Sequence, residues 1–287
     1  MAVLSTLLLV GIFWHIKTGQ QTKLVEKIKQ RGDDILTNNG GLEKNENPQD
    51  KINLLHERQL KIKARLITVR IFSSEEKGGS GVIIGEDNGI YYVITNNHVI
   101  KDTNVNYKIQ TYRNKIYVGE VIWQNNQDTV MDDLALLKFS SSEKYNVAKL
   151  KKYVQKNEMV LASGFPFQDN FTQSSNIKYT LGYVKNILHE PLIGGYQLGY
   201  SNNIYSGMSG GSILNQNGEL IGINALGSYP FLGNHYIYQN GTIIPDKEVA
   251  IMEKLSWGIS SSSIEKLMNK IQEEGLINFN LNNKINN

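Results

Sequence analysis

Three features of the 287-residue sequence predict an all-β fold. From Leu66 onward, short runs alternate apolar and polar residues with a period of two, the signature of strands with one buried face. Tight-turn residues separate those runs, as at Asp87-Asn88-Gly89 and Asn217-Gly218. The glycine-rich stretch Tyr205-Ser206-Gly207-Met208-Ser209-Gly210-Gly211-Ser212 leads into strand, turn and strand (Ser212-Ile213-Leu214, Asn217-Gly218, Leu220-Ile221-Gly222-Ile223) and not into a helix. Short strands at this density belong to barrels or a sandwich.

Residues 2–14 are almost wholly apolar, but at 1.5 Å per residue such a helix reaches only about 20 Å, short of the ~30 Å hydrocarbon core. Residues 1–16 therefore read as a signal or anchor segment, pointing to export or membrane tethering. The basic residues Lys17, Lys23, Lys27, Lys29 and Arg31 just after it would hold the remainder in the cytoplasm under the positive-inside rule, so that placement stays open. Residues 17–63 read as a stalk: a short helix over 21–31, an Asn/Gly-rich linker over 37–49, and a helix over 50–64 with Ile52, Leu55, Leu60 and Ile62 on one stripe.

Strands are predicted at Leu66–Phe72, Gly81–Ile84, Tyr91–Thr95, Tyr107–Thr111, Lys115–Trp123 and Leu134–Phe139. A second set lies at Met159–Ala162, Tyr179–Ile187, the hairpin around Asn217-Gly218, and Leu255–Ile259. A final helix is expected from about Ser263 to Glu274, with Ser262 and Glu265 as its capping box.

The composition excludes several functions. A net charge of +3 and no dense Lys/Arg patch give nucleic acid binding no support. Without cysteine there are no disulfides, thiol catalysis or Cys-based zinc, and the five histidines lack metal spacing. Neither a metal nor an organic cofactor is expected.

The chemistry centres on Ser209. Gly207 lets the chain bend so that its own N–H and that of Ser209 can address one point, an oxyanion hole in outline. Gly-x-Ser-x-Gly also describes the elbow of α/β-hydrolases, but that serine opens a helix and is followed by an acid and then a histidine. Here only Glu219 and His235 follow in that order, too close together for such connections. A serine hydroxyl needs a base in hydrogen-bond reach and a third group to orient that base. His98 stands where the buried run Tyr92-Val93-Ile94-Thr95 ends, and Asp133 heads the apolar strand Leu134-Ala135-Leu136-Leu137. Either alone would ordinarily be structural, a strand-end histidine or a capping aspartate.

Taken together, Thr95-Asn96-Asn97-His98-Val99, Asp133-Leu134-Ala135-Leu136-Leu137 and Gly207-Met208-Ser209-Gly210-Gly211 resemble the motifs of trypsin-like (chymotrypsin-fold) serine proteases in type, order and spacing. Gly164-Phe165-Pro166 and Thr180-Leu181-Gly182-Tyr183-Val184 look like second-barrel motifs of the bacterial heat-shock (Deg-type) and glutamyl endopeptidase branches. The resemblance implies two six-stranded antiparallel barrels in a domain over 64–276. Its parts would be a first barrel over 64–150, a second over 155–260, a C-terminal helix over 262–275 and a tail over 277–287. It implies catalytic His98, Asp133 and Ser209, an oxyanion hole from Gly207 and Ser209, and a protein or peptide substrate. Met208 stands where animal digestive members carry an aspartate, so their zymogen switch is expected to be absent. So is a PDZ domain, for which the chain after the helix leaves no room.

By family position the primary pocket is lined by Asn203, Ile204, Asn224, Ala225 and Leu226. None is charged, which disfavours Arg or Lys at the cut site. Glutamyl endopeptidases carry a histidine where this chain has Asn224, so a neutral side chain is expected. The alternative to an active endopeptidase is a catalytically silent peptide-binding protein on the same fold.

Overall fold

The computed structural model describes residues 48–73, 78–101, 105–125, 132–168, 173–230 and 236–278. The apolar segment 1–16, the helix expected over 21–31, His235 and the end of the tail lie outside the described residues. The chain divides into two compact units, 1–53 and 54–287. Both barrels belong to the second.

Twelve strands close into two six-stranded barrels. The first comprises β1 (Thr68–Phe72), β2 (Gly78–Asp87), β3 (Ile90–Thr95), β4 (Tyr107–Gln110), β5 (Ile116–Gln124) and β6 (Ala135–Ser140), in the order β1-β2-β3-β6-β5-β4. The second comprises β7 (Met159–Gly164), β8 (Lys178–Leu192), β9 (Tyr196–Tyr200), β10 (Ser212–Asn215), β11 (Leu220–Leu226) and β12 (Ser256–Ser260), in the order β10-β11-β12-β9-β8-β7. All the ladders are antiparallel, and closure leaves no sheet edge to protect.

Three first-barrel strands are buried on both faces and not, as the period-two reading expects, on one. On β2, β3 and β6, one set of alternate residues (Ile83, Val93, Leu137) fills the first barrel. The other set (Val82, Ile94, Leu136) faces a larger core shared with second-barrel residues such as Leu161, Leu214 and Ile223. A strand covered on both faces has no polar face to show. The largest core therefore lies between the barrels, and burial of its apolar area locks them together.

Three helices complete the described chain: α1 (Pro48–Ile67), α2 (Asp246–Met252) and α3 (Ser261–Glu273). The stalk helix does not stop at Ala64 as expected. It runs to Ile67, because Leu60, Ala64 and Ile67 recur at helical spacing and are all buried in the shared core. Leu60 is thus part of the folded domain, and the first strand begins at Thr68. The C-terminal helix is capped by Ser260, not Ser262: its hydroxyl accepts the Ser263 N–H at 3.3 Å. Strand β9 and helix α2 were not anticipated.

Candidate active site

Asp133 and His98 are brought together by strand register. β3 and β6 pair with Thr95 opposite Ala135. The ladder continues past the strand ends, where the Asn97 N–H donates to the Asp133 carbonyl at 3.2 Å and Asn96 Nδ2 donates to the same oxygen at 3.0 Å. The chain then enters a 3-10 turn (Asn97–Ile100) whose Val99 and Ile100 are buried in the first barrel. With those two side chains held inward, His98 is turned outward.

His98 Nδ1 lies 2.6 Å from Asp133 Oδ2, and the His98 backbone N–H donates to Asp133 Oδ1 at 2.9 Å. Both carboxylate oxygens are therefore occupied by one residue, 35 positions earlier in the chain. With Nδ1 as the donor, Nε2 is the acceptor. The histidine side chain is 45% exposed and the aspartate 12%, so the carboxylate is shielded while the imidazole is open to an incoming group. Asp132 faces elsewhere, as alternation requires, and its Oδ1 accepts from Gln239 Nε2 at 3.0 Å.

Ser209 sits on an irregular turn held from both barrels. Ser80 on β2 is the main tether: its N–H donates to the Ser209 carbonyl at 2.8 Å, and its hydroxyl donates to the Gly207 carbonyl at 2.9 Å. The Ser80 carbonyl in turn accepts the Thr95 hydroxyl at 2.6 Å, so one residue joins the Ser209 turn to the strand that leads to His98. Gly207 and Gly210 have φ of +88° and +81°, a region that disfavours any side chain. A Cβ on Gly210 would also run into the Ser80 carbonyl.

Two backbone N–H groups in this turn are aimed by the carbonyls before them. In a trans peptide, N–H points opposite to the preceding C=O. The Ser206 carbonyl accepts from Phe167 N–H at 2.8 Å, which turns the Gly207 N–H the other way. The Met208 carbonyl accepts from Gly211 N–H at 3.0 Å and from Asn224 Nδ2 at 3.2 Å, which turns the Ser209 N–H outward as well. Neither N–H has an acceptor among the described residues. The Ser209 hydroxyl donates to the Ala225 carbonyl at 3.2 Å.

The predicted pocket residues fall into different places. Ala225 reaches Ser209 through its carbonyl, Asn203 is exposed, and Ile204 packs against the interior of the second barrel. Asn224 is fully buried beneath the turn, donating to the Ser163 carbonyl at 2.9 Å and accepting from the Tyr200 hydroxyl at 2.9 Å. Leu226 packs against the cluster around Trp257. Met208 is fully buried.

Sequence reasoning missed Ser80 and Tyr196, whose hydroxyl donates to Asp133 Oδ2 at 2.9 Å. The only local signal for Ser80 was its run of glycines, Gly78-Gly79-Ser80-Gly81, which permits close approach of another backbone. Among the described residues no three His, Asp or Glu side chains gather to hold a metal ion.

A family model for the trypsin-like peptidase domain matches residues 79–223, half of the chain. The chain is 25% identical over 219 residues to a "Serine protease HtrA-like" of Staphylococcus aureus (strain bovine RF122 / ET3-1), and 24% identical over 220 residues to its counterpart in strain MRSA252. Each alignment covers 72% of this chain but only 25% of the relative, so the chain spans about a quarter of the length of the curated relatives it matches. Two closed barrels and a matched family model that spans His98, Asp133 and Ser209 lead to one conclusion: the chain belongs to the trypsin-like peptidase family.

Proposed function

We propose that this chain is a serine endopeptidase acting through an acyl-enzyme, with Ser209 as nucleophile, His98 as general base and Asp133 as the group that orients the base. The observation that carries this reading is the His98–Asp133 pair, doubly hydrogen-bonded at 2.6 and 2.9 Å, together with a Ser209 turn whose two N–H groups are unpaired among the described residues and which Ser80 ties to the strand leading to His98. With Nδ1–H held on the carboxylate, Nε2 is the imidazole's free lone pair. For the reaction the Ser209 hydroxyl must leave the Ala225 carbonyl and donate to Nε2. Oγ then attacks the scissile carbonyl while its proton passes to Nε2. The carbonyl oxygen, now negative, is received by the Gly207 and Ser209 N–H groups. The C–N bond breaks as Nε2 returns the proton to the leaving amine. Water repeats the sequence on the ester, freeing the acid and Ser209. Once the serine turns, the Ala225 carbonyl is free to accept an N–H from the substrate backbone.

For the pocket, Asn203, Ile204, Asn224, Ala225 and Leu226 are the proposed lining residues, and a neutral side chain beside the cut is the preference that uncharged walls support. The substrate is a protein or peptide. Residues 1–16 would serve export or membrane tethering. Among the described residues no helix is long and apolar enough to cross a membrane.

One observation favours a second reading, a silent peptide-binding protein: the serine hydroxyl is occupied by the Ala225 carbonyl. A fluorophosphonate probe separates the two. Labelling at Ser209 with turnover of a mixed peptide library supports the endopeptidase, and Ser209→Ala should then lower kcat on the order of 10⁶-fold without altering the fold. Peptide binding with neither labelling nor turnover would establish the second reading.

A further inference from the structure

The acid of the first barrel is gripped by the second. Asp133 Oδ2 accepts from two donors, His98 Nδ1 at 2.6 Å and the Tyr196 hydroxyl at 2.9 Å. The Asp133 N–H also donates to the Gly194 carbonyl at 2.8 Å. Gly194 lies in the turn between β8 and β9 and Tyr196 opens β9, so one second-barrel hairpin holds both the backbone and the carboxylate of Asp133. That hairpin is itself tied down. The Ile193 N–H donates to the Ile237 carbonyl at 2.9 Å, and the Tyr196 ring packs against both the shared core and the cluster around Trp257.

The proton in the Tyr196–Asp133 contact can lie only on the phenol, because a carboxylate has none to give. Burial, followed by the charge of Asp133 and the hydrogen bond to it, pushes the phenol far above the usual tyrosine range. It stays a neutral donor wherever the carboxylate is charged. Three donors thus fix the carboxylate: the His98 N–H on Oδ1, and Nδ1 and the Tyr196 hydroxyl on Oδ2. Of these only the tyrosine comes from the barrel that carries Ser209.

We infer that Tyr196 is a positioning residue for the acid, its hydroxyl holding the Asp133 carboxylate in line with the His98 imidazole and tying that pair to the nucleophile's barrel. This rests on the endopeptidase reading. Without the hydroxyl the carboxylate keeps only donors that move with His98 itself, and the pair's tie to the second barrel is left to the Asp133 backbone and to Ser80. Neither Tyr196 nor its hydroxyl needs to touch substrate.

Tyr196→Phe keeps the ring and removes one oxygen. In the full chain it should lower kcat by roughly tenfold or more, the scale of a hydrogen bond to a charged group, with KM unchanged. Tyr196→Leu, which also removes the ring, should lose no more kcat per folded molecule than Tyr196→Phe. In an Asp133→Asn background, Tyr196→Phe should cost less than about twofold, because the two act as one unit. Wild-type kcat in Tyr196→Phe, or an equal loss in both backgrounds, overturns the inference. A readout independent of turnover keeps the two readings apart. The Nδ1 proton between His98 and Asp133 is observable by NMR, and it should shift in Tyr196→Phe. An unmoved resonance overturns the positioning role even if the protein proves to be a silent binder. A shifted resonance in a protein that the fluorophosphonate never labels upholds the geometry and overturns only the endopeptidase.

Discussion

The two barrels hold their parts of the site by different means. In the first, direction comes from the ladder. Thr95 pairs with Ala135, and the same register carries the chain on to Asn97 and Asp133, so His98 and the acid meet wherever β3 and β6 pair correctly. The barrel behind them is filled with apolar and aromatic side chains, including stacked Tyr91–Phe139 and Tyr117–Phe139 rings at 5.2 and 4.8 Å. In the second barrel, Ser209 lies on no ladder. Its turn is held by buried polar groups, chiefly Ser80 and Asn224, that reach the carbonyls of residues 207 to 209. Register is specified many times over by a hydrophobic pattern. A turn held by a few buried hydrogen bonds is specified once, and each loss leaves a buried group unpaired.

This contrast is tested most severely at the acid. Asp133→Asn keeps the ladder, because the backbone carbonyl that accepts from Asn96 and Asn97 is untouched. The fold should survive while kcat falls by around 10⁴, because an amide favours the wrong histidine tautomer. Asp132→Asn should change little, its carboxylate facing Gln239. Steady-state kinetics on both variants, with circular dichroism as the fold control, decides the matter. A larger loss in Asp132→Asn would mean that the acid is misassigned.

Asn224→Leu attacks the other barrel's device. It removes the donor to the Met208 carbonyl and leaves the Tyr200 hydroxyl and the Ser163 carbonyl without their partner. With the Met208 carbonyl left to the Gly211 N–H alone, the Ser209 N–H is aimed less firmly, and a fall in kcat of up to roughly 10²-fold is expected, the loss of one oxyanion donor being its upper bound. Unlike Asp133→Asn, the change should also lower stability by about 1–3 kcal/mol through the stranded groups. Chemical denaturation beside kinetics would show whether the two losses travel together. A stable, fully active Asn224→Leu would remove the distinction between the barrels.

What could be read from the sequence follows the same division. His98, Asp133 and Ser209 stand in contiguous motifs, and short apolar runs bounded by turn residues mark all six strands of the first barrel, although β2 extends well beyond the expected Gly81–Ile84. The supports of Ser209 are not contiguous. The place of Asn224 in β11 says which strand it lies on, and does not tell that its amide turns under Ser209 to the Met208 carbonyl. Tyr196 opens β9, a strand hidden behind Pro191 and two glycines, and a tyrosine there reads as packing until the hairpin is folded over Asp133. The cap at Ser260 was missed for a related reason. Four serines in a row, Ser260 to Ser263, each satisfy a capping rule, and only the end of β12 decides which is used.

The smallest effect tests whether polar contacts in the second barrel matter merely by being there. Glu219, in the β10–β11 turn, accepts from Asn215 Nδ2 at 3.1 Å and lies 3.4 Å from Lys149 Nζ and 3.8 Å from Lys151 Nζ. Burial alone would raise its carboxyl. The Asn215 hydrogen bond and the charges of Lys151 and Lys149 outweigh that and leave it below the usual range. A folded-state value below the unfolded one stabilises the fold above the unfolded value, and that contribution is lost as pH falls through the folded value. Both lysines are more than 40% exposed, so screening holds the worth of the pair below about 1 kcal/mol. Glu219→Gln should therefore lower stability slightly at pH 7, less so in high salt. The gap should close below about pH 4, with kcat unchanged throughout. Denaturation curves at pH 7 and pH 3 supply the check. A gap that persists in acid would assign the effect to hydrogen-bond geometry and not to charge, and a fall in kcat would mean that the hairpin behind Ser209 transmits strain to the turn.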